Sequence, residues 1–195
     1  MARGSRERII TGAVGMLARG GTKHTSVRKL AEQAGTPLGS TYYYFPDGMA
    51  QLVNEAVEHA GGQVTSALEC ALAAGPLRGL SGLIGWWRRI LVASEFEEGC
   101  PVLSIAVTES RNGPTQQAVE SASRVFRQWS EALVDSLVLH GVERDRAEEV
   151  ATLTVCSIEG SVGVCRAEGS TRALDHVESM LVRAIADALP EEERP

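Results

Sequence analysis

The sequence predicts an all-α protein of about nine helices, in which a three-helix head precedes a larger helical body. Three observations predict this class. Hydrophobic residues make up 44% of the 195 residues but aromatic residues only 5%, so alanine, leucine and valine must supply the core. These residues recur at helical spacing along the chain, and no stretch alternates in the manner of a strand. Glycine and proline divide the pattern into helix-sized segments, as at Gly75-Pro76.

The head is expected to begin with a helix that starts after Ser5, a residue type that caps helix N-termini well. This helix ends near Gly20-Gly21, and its apolar stripe consists of Ile10, Ala13, Val14 and Leu17. Thr25 or Ser26 is expected to cap the second helix. The three helices of residues 5–45 share only a small core, which would be marginal without support from the body.

Residues 26–45 predict a helix-turn-helix. The first of the two helices ends at Gly35, which suits the left-handed position that follows many helices. A turn over residues 36–39 leads into a very short second helix, which carries all three tyrosines of the chain at positions 42–44. Two short helices joined by a tight turn place the second helix in the major groove of DNA.

The formal charge is divided unevenly along the chain. Residues 1–45 hold seven basic and two acidic side chains, a charge of +5, so residues 46–195 carry −11 of the total of −6. A basic unit on an acidic body is typical of a small DNA-binding head whose body is kept away from the phosphates.

The body is expected to begin with a long helix from about residue 47, which links it to the head. The chain is thereby divided into a DNA-binding domain, residues 1–46, and an effector-binding and dimerisation domain, residues 47–195. Gly61-Gly62 is expected to interrupt the linking helix, at a cost of about 1 kcal/mol per glycine relative to alanine.

The last two helices are expected to form a dimer interface. Residues 147–167 are apolar or small almost all round, and a helix without a polar face must be covered on both sides. The final helix repeats apolar residues at near 3.5-residue spacing, as a packing seam does. An ordinary central core helix remains the alternative. The residues assigned to the interface are Val155, Ile158, Val162, Cys165, Val177, Leu181 and Ile185.

The head resembles the TetR family of bacterial transcriptional repressors. The resemblance rests on TSVRKLAEQAG followed by a short helix that ends in Tyr-Tyr-Tyr-Phe before Pro-Asp-Gly. The extra glycine in FPDGMAQL, and GCPV at residues 99–102, are similar to the LmrA/YxaF-type branch of the family. The resemblance implies an all-α homodimer that binds DNA through its head and holds an effector pocket in its body. Leu38 and Met49 stand where most relatives carry a basic residue, which predicts weaker binding to phosphate.

Within the head, the second helix and its surroundings supply the expected DNA contacts. Hydroxyl groups of serine and tyrosine reach phosphate oxygens, small apolar residues fit thymine methyl groups, and basic residues hold the backbone. Thr41, Tyr44 and Phe45 are expected to be core residues instead. The residues assigned to DNA binding are Lys23, Ser26, Arg28, Thr36, Pro37, Leu38, Gly39, Ser40, Tyr42 and Tyr43.

The remaining aromatic residues gather in the body, where they either line an effector pocket or form ordinary core. Ligand pockets are mostly apolar with a few polar groups. Glu159 lies on the most apolar helix, where it either pairs with a residue such as Arg166, caps backbone groups or awaits a ligand. The candidate pocket residues are Trp86, Trp87, Phe96, Cys100, Glu109, Phe126, Trp129 and Glu159.

Several function classes find no support. The four histidines lack metal-ligand spacing, no nucleophile or phosphate-loop motif occurs, and neither a cofactor nor an enzymatic activity is expected. No apolar run approaches 18 residues, so no segment is expected to span a membrane, and no secretory signal is present. The four cysteines show no disulfide framework, which indicates reduced thiols in a cytoplasm. Cys100 at a helix start is either a buried small residue or a redox-sensitive thiol.

These observations predict a cytoplasmic, homodimeric, ligand-responsive repressor of transcription. Two recognition helices would bind a near-palindromic operator in double-stranded DNA, and a small-molecule effector of unknown identity would release it. One alternative is a DNA-binding regulator that senses oxidants through Cys100. A less favoured alternative is a helical small-molecule carrier or enzyme, against which the basic, tyrosine-rich head argues.

Overall fold

A computed structural model of the chain describes residues 2–22 and 26–193. These residues form an all-helical structure without strands, as the sequence predicts. The α-helices within the described residues run in the order α1 Ala2–Gly20, α2 Val27–Gln33, α3 Leu38–Tyr44, α4 Gly48–Leu72, α5 Pro76–Ala93, α6 Pro101–Thr108, α7 Gln116–Leu139, α8 Arg144–Glu168 and α9 Arg172–Ala188, and a 3-10 turn follows at Glu191–Glu193.

Helix α1 starts earlier than the sequence suggests. It begins at Ala2, so Ser5 lies inside the helix rather than at its N-cap, and the Ser5 hydroxyl accepts a hydrogen bond from Arg8 at 3.3 Å. The predicted starts of α5 and α6 are confirmed. Pro76 occupies the first turn of α5, and the thiol of Cys100 accepts a hydrogen bond from the Leu103 backbone amide at 3.4 Å to cap α6.

The chain forms two compact units. The first unit comprises the residues up to Gly62 together with Cys100–Val125, and the second comprises Gln63–Gly99 together with the residues from Phe126 onward. Helices α4 and α7 therefore each contribute to both units. In the first unit, α1 packs against α2, α3 and α6. In the second, α8 packs against α9, and both contact α5.

Helix α4 continues through Gly61-Gly62, so the expected interruption there is wrong. The physical reason is packing in the first unit. A Cβ atom at Gly61 would lie 2.8 Å from Cγ1 of Val125, and closer still to its other methyl group, whereas a Cβ at Gly62 would meet open space. Gly61 is therefore a close-approach residue between α4 and α7, and only Gly62 carries the cost of glycine in a helix without a packing reason.

Helix α8 has the length and composition of a membrane span. An 18-residue window of Arg144–Glu168 has a mean hydropathy of 1.2, and 44% of that window is buried inside the chain. No segment was expected to span a membrane, because polar and charged side chains such as Glu159 interrupt the apolar residues of this helix. Core helices meet the same test, and α8 packs against α5 and α9 as a core helix does.

Candidate nucleic-acid interface and internal cavity

The turn between α2 and α3 is built by local backbone chemistry. Gly35 adopts a left-handed conformation with φ of 59°, as its position after α2 predicts. The amide of Thr36 then donates to the carbonyl of Ala31 at 2.9 Å, and the amide of Gly35 donates to Glu32 at 3.1 Å. Pro37 caps α3 with extended backbone angles, so the chain turns sharply into the second helix.

Helix α3 presents two tyrosines to solvent. Tyr42 is 54% exposed and Tyr43 is 82% exposed, although aromatic rings of this size are usually covered. On the opposite side, Thr41 and Phe45 are buried, which confirms that these two belong to the core. Tyr44 is half-buried and meets the ring of Tyr43 edge to face, with 5.6 Å between ring centroids. The exposed tyrosines thus form one accessible face of α3.

Most of the other predicted DNA-contacting residues are also accessible. Exposed or half-buried side chains belong to Ser26, Arg28, Pro37, Leu38 and Ser40, and Gly39 is exposed as well. The Ser26 hydroxyl accepts a hydrogen bond from the Lys29 amide at 3.3 Å and so caps α2. Lys29, which is not among the predicted DNA-contacting residues, is exposed in the same first turn. Lys23 lies outside the described residues.

Thr36 does not belong to the candidate interface. Its side chain is buried, and its hydroxyl donates to the carbonyl of Ala31 at 3.4 Å. The residue closes the turn after α2, and this role leaves no free hydroxyl for a phosphate. Its place in the turn sequence gave no sign of which way the side chain would point.

Polar contacts fix the head within the first unit. Arg6 forms an ion pair with Glu55 on α4 and lies over the ring of Phe45, 5.2 Å from its centroid. Glu109, at the end of α6, accepts hydrogen bonds from the hydroxyls of Thr22 and Thr115. Glu109 is therefore wrongly assigned to the effector pocket, because it ties the end of α1 to the residues around α6 in the first unit.

A second polar cluster of the first unit joins α4 to α7. The Ser121 hydroxyl lies 2.7 Å from the side-chain oxygen of Asn54 and 3.0 Å from a carboxylate oxygen of Glu58. Arg124 donates to the same carboxylate oxygen at 3.1 Å and to Ser121 at 2.6 Å. Farther along the same two helices, Gly61 packs closely against Val125.

The second unit contains a nearly filled apolar cavity. Only about 10 Å³ of it can be occupied by the centre of a water molecule, which is roughly the space for one water. Three predicted pocket residues, Trp87, Trp129 and Glu159, line it. The other lining residues were not predicted, because their spacing matches that of ordinary core: Val64, Leu68, Leu83, Leu133, Thr154, Val155 and Ile158.

The other predicted pocket residues lie elsewhere. Trp86 and Phe126 are neighbours of the lining tryptophans, with ring centroids 4.8 Å from Trp87 and 5.3 Å from Trp129, but do not line the cavity. Phe96 follows α5 with a positive φ of 63° and is likewise not part of the lining. Cys100 belongs to the first unit, where its buried thiol caps α6.

Glu159 is the one ionisable side chain among the residues that line the cavity. It is 6% exposed, a strong degree of burial for a carboxyl group. Arg166, its suggested partner, is exposed and donates from Nε to the backbone carbonyl of Glu97 at 3.1 Å. The Trp129 indole donates to the Thr65 hydroxyl at 3.1 Å, which fixes the orientation of that ring in the cavity wall.

Most of the predicted dimer residues lie on the faces of their helices that pack inside their own chain. Ile158, Val162, Cys165, Leu181 and Ile185 are buried inside their own chain, so a partner cannot reach them. Val155 also lines the internal cavity, and Val177 is half-buried. Sequence reasoning could not tell the two faces apart, because α8 is apolar on both.

The opposite faces of α8 and α9 carry exposed apolar side chains. Leu153 and Val164 on α8 are 50% and 45% exposed, and Met180 on α9 is 62% exposed. Between the two α8 residues lie the exposed Cys156 and Gly160, and a Cβ at Gly160 would meet open space. Spacings of three, four and four residues place all four on one side of the helix. We call this surface, Leu153, Cys156, Gly160 and Val164 with Met180, the outer stripe.

No group of three or more histidine, cysteine, aspartate or glutamate side chains suited to a metal ion occurs within residues 2–22 and 26–193.

Comparisons with known proteins cover both parts of the chain. Residues 9–56 match the model of the N-terminal domain of bacterial regulatory proteins of the tetR family. Residues 76–180 match the C-terminal domain of LmrA/YxaF-like transcriptional regulators. The HTH-type transcriptional regulator Rv0196 of Mycobacterium tuberculosis, itself uncharacterized, is 31% identical over 194 residues, 98% of this chain and 99% of the relative. The HTH-type transcriptional regulator LmrA of Bacillus subtilis is 27% identical over 182 residues, 91% of this chain and 94% of LmrA.

Solved structures support the same fold. A TetR transcriptional regulator from Legionella pneumophila aligns with a TM-score of 0.79 at 16% identity, over 91% of this chain and 95% of that one. A TetR transcriptional regulator from Chloroflexus aurantiacus aligns with a TM-score of 0.75 at 21% identity, over 97% and 98%. At such low identity these likenesses concern the fold alone.

Proposed function

The chain belongs to the TetR family of transcriptional regulators, and from this premise we propose that it is a ligand-responsive repressor that releases its operator when a small molecule enters the body. Binding DNA as a regulator, without enzymatic activity, is the property of the family. The observation that carries the ligand-responsive part is the cavity of the second unit, where two tryptophans and one buried carboxyl group meet. The composition of its lining, apolar with few polar groups, is that of a ligand pocket.

DNA reading is assigned to the exposed face of α3 and the first turn of α2. The hydroxyls of Tyr42, Tyr43 and Ser40 reach phosphate oxygens, while Arg28 holds the backbone or reaches a base. Pro37 and Leu38 lie against thymine methyl groups, and Gly39 permits close approach. Lys23 remains assigned to phosphate on sequence grounds alone. In functional terms residues 1–46 are the DNA-binding domain, and residues 47–195 bind the effector and dimerise.

A homodimer places two recognition helices on the operator. Each α3 occupies one half-site, and the two half-sites lie roughly one helical turn of DNA or a multiple of it apart, which makes the operator near-palindromic. The outer stripe supports this assembly, because exposed leucine, valine and methionine on neighbouring helices gain free energy when a second copy covers them. The open space at Gly160 suits the close approach of a partner helix. A regulator of chromosomal transcription works in the cytoplasm.

Helices α4 and α7 provide the route by which the effector acts. The cavity is lined by Val64 and Leu68 of α4 and by Trp129 and Leu133 of α7, and the same two helices continue into the first unit. A ligand that enlarges the cavity must displace these side chains, and the displacement acts on the helices that hold the head. The thiol-switch alternative has less support, since the Cys100 thiol is buried and engaged in capping α6.

The experiment that tests the proposal measures operator binding in the presence of small molecules. Electrophoretic mobility-shift titrations of the wild-type chain with DNA from its own promoter region define the operator. A screen of compounds then identifies those that release the chain from the operator. The same compounds are titrated into the operator complex of Trp87→Ala to test whether release depends on the cavity. The proposal is supported if at least one compound releases the wild-type chain from the operator but does not release Trp87→Ala. Operator binding that no compound changes, and that peroxide abolishes, would favour the thiol switch instead.

A further inference from the structure

Helix α3, which carries the proposed DNA-reading face, has little core of its own. It is seven residues long, and Thr41 is its buried member, while its other side chains are half-buried or exposed. Its N-cap residue is Pro37, whose side chain has neither a hydrogen-bond donor nor an acceptor. So short a helix gains little stability by itself, and its orientation depends on the contacts that hold its ends.

A series of side-chain contacts holds the residues that follow α3. The ring of Phe45 is 1% exposed, and the guanidinium carbon of Arg6 lies 5.2 Å from its centroid. Arg6 also pairs with one carboxylate oxygen of Glu55 on α4, and the other oxygen accepts a hydrogen bond from the Gln51 amide at 3.0 Å. The side-chain oxygen of Gln51 accepts a hydrogen bond from the backbone amide of Asp47 at 3.2 Å. We call Arg6, Gln51 and Glu55 the exit network.

The exit network contacts the turn between α3 and α4 at two points. These points are the ring of Phe45 and the amide of Asp47, which lie on either side of Pro46. Inside the turn, the amide of Gly48 donates to the carbonyl of Phe45 at 2.9 Å, and Gly48 has a positive φ of 67°. Side chains that bond in series restrict one another, so α1 and α4 together fix the direction in which the chain leaves α3.

We propose that Arg6, Gln51 and Glu55 are positioning residues for DNA recognition, which set the orientation of α3 in the major groove. Glu55 acts through its two partners, because a carboxylate gains nothing from contact with phosphate. Base edges must be met in register, whereas phosphate contacts tolerate small changes of orientation. The exit network therefore governs the preference for one DNA sequence over others. It concerns DNA recognition alone and holds with or without a small-molecule effector.

Gln51→Met tests the network without a change of charge, because methionine cannot donate to Glu55 and is only a weak acceptor. The probes are the tightest-binding duplex selected from a pool of random sequence and an unrelated duplex of equal length at the same salt concentration. Fluorescence anisotropy measures both dissociation constants. We expect the value for the selected duplex to rise about fivefold or more, and that for the unrelated duplex to change less than about twofold.

Gln116→Met is the matched control for this variant. Gln116 donates the same kind of hydrogen bond, to the residue four positions later, Glu120, at 2.8 Å, but both residues are exposed on α7. The control should leave both dissociation constants unchanged.

Glu55→Gln separates positioning from simple electrostatics. If charge alone mattered, loss of an acidic group from the head would strengthen binding to both duplexes alike. Loss of the ion pair with Arg6 should instead reduce the preference for the selected duplex, as Gln51→Met does. Arg6→Lys keeps the charge and should retain most of the preference, whereas Arg6→Gln should lose it.

Hydrogen exchange detects the same change without DNA. In Gln51→Met, the amides of Thr41, Phe45 and Gly48 should exchange about threefold faster or more, while those of α2 and α7 stay unchanged. Three results would each overturn the proposal. One is a wild-type chain that prefers no duplex, another is an unchanged preference in Gln51→Met and Glu55→Gln, and the third is an equal loss for both duplexes with faster exchange throughout the head.

Discussion

The two compact units of the chain are stabilised by different kinds of contact. The first unit is tied by directional polar contacts between separate helices, among them Arg6 with Glu55, Glu109 with Thr22, and Ser121 with Asn54. The interior of the second unit is apolar and aromatic, with one buried carboxyl group, while its ion pairs, such as Arg88 with Asp175, lie near the surface. Directional contacts fix the geometry that DNA reading needs, whereas the cavity wall of the second unit is mostly apolar and includes a directional contact in the hydrogen bond from Trp129 to Thr65.

The largest expected effect comes from the outer stripe of the second unit. Leu153→Arg should raise the dimer dissociation constant by about a hundredfold or more, because an unpaired charge in an apolar interface is costly. Operator affinity should fall with it, since a monomer reads only one half-site. Sedimentation at micromolar concentration measures the first quantity and mobility shift the second.

Val92→Arg serves as the control for the dimer prediction, because Val92 is also exposed but lies on α5, outside the stripe. It should leave the assembly unchanged. If both variants remained dimers with normal operator affinity, the outer stripe would not be the interface.

A smaller effect is expected where α4 and α7 approach each other in the first unit. Gly61→Ala should lower the free energy of unfolding by about 1–3 kcal/mol, because the added methyl group clashes with Val125. Gly62→Ala is the matched control and should raise it by up to about 1 kcal/mol, since its Cβ meets open space and alanine favours the helix. Urea titration measures the free energy of unfolding of both variants. If the two alanine substitutions raised it equally, α4 and α7 would not be closely packed at Gly61.

Loss of the hydrogen bond from Thr22 to Glu109 in the first unit should weaken operator binding by about 1 kcal/mol. Thr22→Val removes the hydroxyl that donates to Glu109 and leaves a side chain of the same shape. Thr22 precedes the segment that leads to α2, so operator affinity should fall about fivefold while the dimer dissociation constant stays unchanged. Thr11→Val is a control, since the Thr11 hydroxyl donates only to its own helix, at the carbonyl of Glu7. If the two variants bound operator equally well, the hydrogen bond from Thr22 to Glu109 would have no role in DNA reading.

The smallest effect is expected for a single hydroxyl at the DNA surface. Tyr42→Phe should weaken binding by about 1 kcal/mol, equally for operator and unrelated DNA, if the hydroxyl meets a phosphate. Tyr44→Phe, at a half-buried position, should change neither. A loss confined to the operator would instead assign Tyr42 to base reading, and fluorescence anisotropy on both DNAs distinguishes the two roles.

Sequence reasoning succeeded where neighbours in the chain decide the structure. The left-handed Gly35, the buried Thr41 and Phe45, and the exposed tyrosines follow from local turn and helix rules. It failed where distant residues decide. Glu109 was assigned to the wrong site because its partner Thr22 is 87 residues away in the chain, and the space that requires glycine at position 61 is limited by Val125 on another helix.

The prediction of the dimer-interface residues failed for a different reason. Helix α8 is apolar on the side that its own chain buries and on the side that it leaves open, so periodicity alone does not separate Val162 from Val164. A carboxyl group on such a helix is unusual, and for this reason Glu159 was predicted as a pocket residue. It does line the cavity, whose aliphatic lining residues resemble those of any core.

Footprinting of the wild-type chain on its own promoter region at low salt tests the central claim most directly. The account predicts two protected half-sites of a near-palindrome, centred one helical turn or a multiple of it apart, and loss of both together when Leu153→Arg removes the dimer. Absence of a protected near-palindrome, or protection that the monomeric variant retains in full, would contradict it.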